Sequence, residues 1–429
     1  MADSAFVKVA VPAPLFGLFD YRLPEHLGRA ARIGSRVRVP FGRQSVVGLI
    51  MGFSACSDVP AAKLKAVQQL LDETPLLDDS LLQLLNWSAD YYQHPIGDVV
   101  ATALPRLLRQ GETPQVRGEQ AWQLTELGET GGEQACSRAP RQAALLRLLQ
   151  QAGHRLSSTQ LNELSENWRP AMQALAKKAL VECIELPCLE LASVERINGP
   201  QLNDEQQSAV SEVAARLDHY QAFLLQGITG SGKTEVYLSL AQQLIDENRQ
   251  VLILVPEISL TPQLTQRFQQ RLHTPIAALH SGLNDRQRLC AWSMVASGRA
   301  LVVIGTRSAL FTPMPRLGLI IVDEEHDNSL KQQDGFRYNA RDLALVRARN
   351  AGVPILLGSA TPSLESLHNA RRGLYRLLRL RQRAAIATPP RIHLLDVRRR
   401  PMEDGLSDIL LQQIGQHLER QGQVLLFLN

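Results

Sequence analysis

The segment from Gly227 to Thr234 combines residue types and a spacing that favour phosphate binding. It fits the pattern G-x-x-x-x-G-K-[ST] at every fixed position and consists of Gly227, Ile228, Thr229, Gly230, Ser231, Gly232, Lys233 and Thr234. Glycines let backbone N–H groups wrap around phosphates, and the start of the helix that follows adds the positive end of its dipole. Lys233 would contact the β- and γ-phosphates and Thr234 would hold Mg²⁺. The segment predicts a site for ATP and Mg²⁺; the alternative is a chance glycine-rich loop.

A second group of candidate residues follows the apolar run 317–322, where the chain reads Asp-Glu-Glu-His. Ligands of open α/β sheets bind at the carboxyl ends of the strands. Asp323 would hold Mg²⁺, and Glu324 would orient and deprotonate an attacking water. With Lys233 and His326 these two residues form the predicted catalytic set. A solvated acidic turn is the alternative.

Three further segments each follow an apolar run of strand length. They are 256–263 after 251–255, 305–311 after 301–304, and 358–362 after 355–357. Because the carboxyl ends of parallel strands meet at one edge, all three segments are expected there, beside the phosphate-binding loop. Their hydroxyl and backbone N–H groups would contact phosphates of a strand lying across that edge. Each segment alone could equally be an ordinary connecting loop.

These candidates require an α/β domain to position them, and the sequence from about residue 200 has that texture. Apolar runs alternate with helical patterns, as in a buried parallel sheet covered by helices. Residues 1–105 instead carry short β-type runs at 6–11, 36–39 and 45–51, then a helix over 81–92, which favours a small β domain. Helices over 140–151, 158–166 and 172–180 and a strand at 180–186 favour a winged-helix module, with 106–118 as a linker.

Composition places the chain among ordinary globular proteins. It has 429 residues, 45% hydrophobic and 21% charged, with a net charge of +4. Five cysteines without a C-x-x-C pair predict reduced thiols in the cytoplasm and no zinc site. The sequence shows no signal peptide and no apolar stretch of the roughly 20 residues that a membrane span needs.

Positive charge is concentrated in two stretches. Residues 26–57 contain five arginines and no acid, namely Arg29, Arg32, Arg36, Arg38 and Arg43. Residues 371–400 are a second arginine-rich stretch whose single acid is Asp396. Such local stripes are typical of surfaces that bind phosphate, although a solvated basic face has the same appearance.

The order of the segments GITGSGKT, PEISLTPQ, GTRSALF, DEEH and GSATP resembles the first lobe of superfamily-two helicases. Five other segments resemble more closely the family of primosomal replication-restart helicases. They are 19–21 (FDY), 37–42 (VRVPFG), 64–65 (LK), 89–98 (ADYYQHPIGD) and 103–106 (ALPR). The resemblance implies a multidomain α/β protein with a β-rich 3′-end DNA-binding domain at 1–105, a linker at 106–118, a winged-helix-like domain at 119–198, a RecA-like lobe one at 199–385 and the start of lobe two at 386–429.

The resemblance also assigns roles to individual residues. A pocket of Phe19, Asp20, Gly42 and Lys65 would capture the 3′ end of a nascent leading strand. Gln206 would read adenine. The residues themselves leave alternatives open: Phe19 as core, Asp20 as the cap of a turn, and Gln206 within a capped helix start at Asn203 or Asp204.

The segment 329–342 resembles the aromatic-rich loop of this family, which couples single-strand binding to ATP hydrolysis. Phe336 and Tyr338 would stack on bases, and Arg337 would contact a phosphate or stack. Arg307, in the segment GTRSALF, would also contact DNA. A surface loop with two buried aromatic anchors remains the alternative for 329–342.

The implied function is an ATP-dependent 3′-to-5′ DNA helicase that recognises stalled or branched forks and starts primosome assembly. Its expected partners are forked or single-stranded DNA with a free 3′ leading-strand end, other primosome proteins and single-stranded DNA-binding protein, with the helicase itself a monomer. Another superfamily-two translocase, or a fork-binding module without turnover, would carry many of the same motifs.

Two features of this helicase family are not found in this sequence. The family's cysteine-rich zinc-binding insertion is one, and the arginine that completes the ATP site from lobe two is the other. Residues 424–429 resemble the first strand of that lobe. Because such an arginine contributes about 10³- to 10⁵-fold in rate in related nucleotidases, we expect this chain to bind ATP, hydrolyse it poorly and not unwind DNA.

Overall fold

The computed structural model describes residues 6–60, 62–114, 117–136, 139–164, 167–189, 197–383, 392–398 and 402–427. The chain divides into two compact units, residues 1–385 and residues 386–429. The first unit contains an antiparallel sheet with three helices, a helical region with a small sheet, and a seven-stranded parallel sheet between helices. The predicted multidomain α/β fold is confirmed.

The N-terminal region is built on a five-stranded antiparallel sheet. Its elements are β1 (Phe6–Ala10), β2 (Phe19–Arg22), α1 (Glu25–Gly28), β3 (Arg36–Phe41), β4 (Gln44–Ser54) and β5 (Gln69–Leu70). The strand order is β2-β1-β4-β3-β5. Val7 and Val9 of β1 are fully buried on one face, as the period of two in a half-buried strand requires. The predicted β-runs are confirmed, whereas β2 was missed because it has only four residues.

Three helices then lead out of the sheet: α2 (Asp79–Tyr91), α3 (Ile96–Ala103) and α4 (Arg106–Arg109). Asp78 caps α2 by accepting a hydrogen bond from the backbone N–H of Leu81 at 2.8 Å. The linker predicted at 106–118 needs correction. Helix α4 forms there, Leu108 is fully buried, and a strand begins at Arg117.

Arg36, one of the five clustered arginines, does not lie on a basic surface. Its side chain has no exposed area and forms an ion pair with Asp72 at 2.8 Å. It also donates to the backbone carbonyl oxygens of Leu108 at 2.5 Å and Glu112 at 2.8 Å. The phosphate-binding interpretation is therefore wrong for Arg36, which ties the segment after α3 to the sheet.

The region that follows packs helices against a three-stranded antiparallel sheet of order β7-β6-β8. Its elements are β6 (Arg117–Leu124), α5 (Glu126–Ala135), α6 (Pro140–Gln151), β7 (Arg155–Ser157), α7 (Ser158–Leu164), α8 (Trp168–Lys177) and β8 (Val181–Pro187). Leu146, Leu161 and Met172 are fully buried between them. The helix predicted at 140–151 is present with those bounds, and the other two predicted helices and the strand are present with shifted bounds. The winged-helix identity itself stays a prediction.

The third region is a parallel sheet of seven strands in the order β11-β12-β10-β13-β14-β9-β15. Its elements are α9 (Asp204–Ala214), β9 (Ala222–Gly227), α10 (Lys233–Asp246), β10 (Gln250–Leu254), α11 (Pro262–Leu272), β11 (Ile276–Leu279), α12 (Asp285–Ala296), β12 (Val302–Gly305), β13 (Leu317–Val322), α13 (Ala340–Ala351), β14 (Ile355–Ser359), α14 (Leu364–Arg371) and β15 (Tyr375–Leu380), with short 3₁₀ helices at Glu257–Ser259, Arg307–Phe311 and Asn328–Leu330. The five strands predicted here are confirmed; β11 and β15 were not predicted.

The structure joins Cys188 and Cys290 by a disulfide, with their Cα atoms 5.4 Å apart. The segment after β8 lies against α12, which brings together two residues that are 102 positions apart in sequence. The prediction that all five cysteines are reduced is therefore wrong for this pair. Cys56, Cys136 and Cys183 are free thiols.

The second unit, in its described residues, contains a short hairpin of β16 (Met402–Glu403) and β17 (Leu406–Ser407) followed by α15 (Asp408–Glu419). Residues 424–427 form no strand, so the strand predicted at 424–429 is not found in its described part. Among the helices that the structure describes, none has the length and apolarity to cross a membrane.

Candidate active site

The loop after β9 has the backbone geometry that phosphate binding requires. Gly230 and Gly232 have φ angles of +78° and +79°, a region that residues with side chains rarely adopt. Gly227 is required by space, because a Cβ there would lie 2.5 Å from Ser231 Oγ. Helix α10 begins at Lys233, so its unpaired N–H groups border the loop.

Lys233 lies against the acidic turn that follows β13. Its Nζ is 3.6 Å from Glu324 Oε1 and donates to the carbonyl oxygen of Gly227 at 3.3 Å. In the sheet only β14 separates β9 from β13, and all three strands run parallel, so their following loops meet at one edge. The structure thus brings together the two segments that the sequence singled out.

Asp323 lies at the carboxyl end of β13, partly buried, and accepts a hydrogen bond from the Tyr237 hydroxyl at 2.9 Å. Burial raises the pKa of Asp323, and the neighbouring Glu324 carboxylate raises it further. Burial likewise raises the pKa of Tyr237, which therefore stays a donor. A nearby divalent cation would stabilise the ionised form of Asp323, because its charge offsets both the burial and the repulsion from Glu324.

We predict that Asp323→Asn stabilises the protein in the absence of nucleotide. The pKa of Asp323 is raised on folding, so its charge destabilises the fold above that pKa, and this cost disappears as the pH falls. Asparagine removes the charge and keeps an oxygen for Tyr237. We expect a gain of about 1 kcal/mol at alkaline pH, seen as a higher melting temperature, together with lost Mg²⁺-dependent nucleotide binding.

Asp327→Asn is the matched control for this prediction. Hydrogen bonds from Ser329 lower the pKa of Asp327, so its charge stabilises the fold at neutral pH and the same substitution should lower the melting temperature. A lower melting temperature for Asp323→Asn as well would contradict the assignment of Asp323 as a destabilising charge.

Glu324 and His326 connect the acidic turn to the segment after β14. Glu324 has a φ angle of +45°, a backbone conformation that is uncommon for a residue with a side chain. His326 Nδ1 lies 3.6 Å from Glu324 Oε2 and 2.8 Å from Ser359 Oγ, and its Nε2 lies 3.4 Å from Thr361 Oγ1. Segment 358–362 therefore contacts the acidic turn.

Glu325 was not singled out in the sequence, yet it is the most heavily hydrogen-bonded member of the turn. Its fully buried carboxylate accepts from the backbone N–H of Ser363 at 2.7 Å and from the Ser366 hydroxyl at 2.8 Å, and it pairs with Arg341 Nη1 at 3.1 Å. It fixes the turn to α13 and α14. The only sequence signal was a third acid in a row.

Gln206 uses both ends of its side chain within the protein. Its Oε1 accepts from the backbone N–H of Asn203 at 3.0 Å, and its Nε2 donates to the carbonyl oxygen of Ser231 at 2.8 Å. Together with the Asn203 cap at 2.9 Å this forms a capping box at the start of α9. The capping alternative is thus present, and the same side chain also contacts the phosphate-binding loop.

The loop residues fit a triphosphate. Ser231 Oγ is buried and has no hydrogen-bond partner among the described residues, and the space beside Gly227 has no room for a side chain. Residues 227–234 would hold the phosphates, and Thr234 with Asp323 would hold Mg²⁺. When bound, Mg²⁺ neutralises charge on the phosphate oxygens.

Segments 256–263 and 305–311 meet at the same sheet edge, on the far side of the acidic turn. Arg307 Nη2 pairs with Glu257 Oε1 at 3.0 Å, and its Nη1 donates to the Lys331 carbonyl oxygen at 3.2 Å. A cavity of about 310 Å³ lies between these residues and the loop 331–338. Arg307 is positioned on this groove, as a DNA contact requires.

The two aromatic rings predicted to stack on bases do not face solvent. Phe336 is 4% and Tyr338 is 2% exposed, and burial raises the pKa of Tyr338 above its ordinary value. Their rings stack at 4.9 Å and pack on Phe311. Of the two interpretations, buried anchors match this structure, because the loop would have to open before either ring could meet a base. Arg337, between them, is exposed.

The N-terminal helices hold this loop in place. The Tyr92 hydroxyl accepts from the backbone N–H of Asn339 at 3.1 Å, and its ring packs on Phe336 at 5.7 Å. His94 also lies against Phe336, at 5.3 Å, and Lys331 Nζ sits 5.2 Å from the centre of the Tyr92 ring. The N-terminal region and the loop are thus packed as one surface, which the sequence could not indicate.

Three of the four residues predicted to bind a 3′ end lie around the turn between β3 and β4, whereas Asp20 contacts other residues. Lys65 Nζ donates to the Gly42 carbonyl oxygen at 3.2 Å, and Phe19 packs edge-on against Phe41 at 5.1 Å. Gly42, in the turn between β3 and β4, has a φ angle of +57°, and a Cβ added there would have no atom of the described residues within 4 Å.

Asp20 is already engaged within the protein. It accepts hydrogen bonds from Ser57 Oγ at 2.6 Å and Lys8 Nζ at 3.1 Å. Burial alone would raise the pKa of Asp20, but these two donors outweigh it and lower the pKa. The carboxylate is thus ionised and oriented at neutral pH.

Comparisons with known proteins match the N-terminal region and the parallel-sheet region to two separate families. Residues 8–105 match a family described as the 3′ DNA-binding domain (3′BD) of PriA, and residues 203–370 match the DEAD/DEAH box helicase family. The chain is 43% identical over 433 residues to replication restart protein PriA of Haemophilus influenzae, covering 99% of this chain and 58% of that protein. It is 30% identical over 482 residues to PriA of Bacillus subtilis, covering 96% of this chain and 60% of that protein.

The chain therefore spans about three fifths of the length of these curated relatives. A solved structure of RecG bound to a three-way DNA junction is similar over 45% of this chain and 25% of that one, at 24% identity and a TM-score of 0.32. That structural likeness is too weak to carry an argument.

Proposed function

Because this chain belongs to the PriA family of replication restart proteins, we propose that it supplies the ATP-binding and DNA-sensing parts of an ATP-dependent helicase acting at stalled or branched forks. One observation carries the motor half of the proposal. Lys233 Nζ lies 3.6 Å from Glu324 Oε1, at the shared edge of one parallel sheet.

In this proposal Lys233 binds the terminal phosphates and Glu324 orients and deprotonates the attacking water. His326 is a positioning residue. It lies between Glu324 and the segment after β14, so it orients the Glu324 carboxylate and links it to Ser359 and Thr361. Movement from 3′ to 5′ is inferred from the family only.

The match of residues 8–105 to a 3′ DNA-binding domain favours a restart helicase over a general translocase. The proposed DNA partner is a fork, or single-stranded DNA, with a free 3′ leading-strand end. Primosome proteins and single-stranded DNA-binding protein as partners, a monomeric state and a cytoplasmic location rest on the family alone. Slow ATP turnover by the 429-residue chain is a further proposal, tested by a steady-state ATPase assay with and without DNA.

A fork-binding assay tests the sensing half of the proposal. The wild-type chain should prefer a fork with a free 3′ leading end over one with that end blocked. Asp20→Ala should reduce this preference by about tenfold, because a charge-assisted hydrogen bond contributes roughly 1.5–3 kcal/mol. Asp58→Ala removes an equal charge from an exposed site nearby and should leave the preference intact.

The measurement is fluorescence anisotropy at one stated salt concentration, since phosphate contacts are salt-sensitive. Equal affinity of the wild-type chain for free and blocked ends would refute the sensing role. If the Asp20→Ala variant kept the wild-type preference for a free 3′ end, Asp20 would not be part of the pocket.

A further inference from the structure

A second cavity lies between the N-terminal helices and the parallel sheet, which we name the α4 cleft. Its volume is about 580 Å³. One wall comes from α3, α4 and the residues that join them, including Thr102, Arg106 and Arg109. Residues of α12, namely Asp285, Arg288 and Trp292, also line it, as does Phe336. No residue proposed above for ATP or the 3′ end lines it.

The charges in the α4 cleft do not cancel. Arg106 pairs with Asp285 at 3.3 Å, so those two offset each other. Arg288 donates to the neutral carbonyl oxygen of His280 at 2.6 Å. Among the described residues Arg109 has no ion-pair partner, and neither it nor Arg288 has a carboxylate within ion-pair distance. The cleft also holds the Asp98 carboxylate, 3.8 Å from His94 Nε2, so its three arginines face two carboxylates and the net charge of its lining is positive.

Polar side chains line the α4 cleft beside these cations. Thr102 and Ser308, which carry hydroxyls, line it, and the Thr102 hydroxyl donates to the Asp98 carbonyl oxygen at 2.9 Å. The Trp292 ring lines it as well, with its Nε1–H enclosed by protein and without an acceptor among the described residues.

Arginines and hydroxyl-bearing side chains together suit an anion with several oxygen acceptors, which is the chemistry of phosphate. Partial burial lowers the pKa of Arg109 and the nearby Arg106 lowers it further, while Asp285 opposes both effects.

The α4 cleft continues into the groove that Arg307 lines. The two cavities share Thr102, Arg288, Ser308, Gly335 and Phe336. A strand lying along the sheet edge at Arg307 would therefore pass directly into the cleft. We propose that the α4 cleft binds the phosphate backbone of single-stranded DNA, so that the N-terminal helices form the second wall of the DNA path. This inference rests on the proposed function, since it extends the same strand.

Anisotropy titrations of the 429-residue chain with a labelled oligo(dT), across a salt series, test this assignment. Arg109→Ala should weaken binding about three- to tenfold and make the log–log salt slope shallower by about 0.7, the change for one lost single-strand phosphate contact. Asp285→Asn should strengthen binding and steepen the slope, because it removes the negative charge that pairs with Arg106. A merely structural role for either residue would not produce opposite signs.

Arg376→Ala serves as the control, because Arg376 is an exposed arginine on β15 that pairs with Glu212, away from the cleft residues. Melting curves should show all three variants folded, because Arg109 and Arg376 are exposed and the Asp285 side chain is 44% exposed. Titration with inorganic phosphate separates a free-phosphate site from a DNA site. Unchanged DNA affinity and slope in both cleft variants would overturn the proposal, even if Arg109→Ala abolished phosphate binding. If the wild-type chain bound no single-stranded DNA, the proposed function would fall as well.

Discussion

ATP binding by the Lys233→Ala variant is expected to be about 100-fold weaker than that of the wild-type chain, at the upper end of what charge-assisted hydrogen bonds contribute. Among the residues that the structure describes, the ammonium group has a carbonyl oxygen at 3.3 Å and the Glu324 carboxylate at 3.6 Å as its partners, so it can turn to a phosphate. Its removal should leave the fold intact. The measurement is titration with a fluorescent ATP analogue in Mg²⁺.

The Glu324→Gln variant separates ATP hydrolysis from ATP binding, which Lys233→Ala alone does not. Glutamine keeps the size and a hydrogen-bonding oxygen but cannot accept the proton of an attacking water. ATP should therefore still bind to Glu324→Gln, while any turnover is lost. Fork binding should survive in both variants. If Lys233→Ala retained wild-type ATP affinity, the loop after β9 would not be the nucleotide site.

The second large effect concerns stability. Arg36→Met is expected to cost about 3–5 kcal/mol of unfolding free energy, because it leaves the Asp72 carboxylate buried without its partner. The carbonyl oxygens of Leu108 and Glu112 lose their donor as well. Urea denaturation followed by circular dichroism would measure the loss.

Two controls distinguish this burial effect from a simple loss of charge. Arg29→Met changes an exposed arginine of the same cluster and should alter stability by less than about 0.5 kcal/mol. The double variant Arg36→Met with Asp72→Leu should recover much of the loss, because no buried charge remains unpaired. Equal stability of Arg36→Met and the wild-type chain would contradict the burial argument.

The proposed nucleotide site could be located in the sequence because its signal is local. Eight consecutive residues specify the loop, and the order of strands in a parallel α/β sheet brings the turn at Asp323 to it. Glu325 escaped notice because its partners, Ser363 and Arg341, are 38 and 16 positions away and only the folded chain brings them together. Short strands such as β2 and β11 carry too few residues for a clear period.

In the arginine cluster the sequence led to a wrong assignment, whereas Glu325 was simply missed. Counting charges between residues 26 and 57 indicated a surface, yet Arg36 is enclosed because Asp72 and the segment after α3 meet it from elsewhere in the chain. The base-stacking prediction for the aromatic-rich loop was wrong for a similar reason. The composition of 329–342 suits base stacking, but Tyr92, from a distant helix, covers Phe336. Long-range partners decide whether a side chain is available, and a single sequence does not reveal them.

The double use of Gln206 fixes the orientation of its carboxamide before any nucleotide binds. One carboxamide closes the capping box of α9 and also holds the Ser231 carbonyl oxygen. A carboxamide has two donor hydrogens and two acceptor lone pairs, so a second N–H and a second lone pair of Gln206 remain for a ligand. A ligand that needed the amide turned over would have to break both bonds, and a lost helix cap alone costs about 0.5–2 kcal/mol. Any base contact made through Gln206 therefore has its donor and acceptor directions set by the fold.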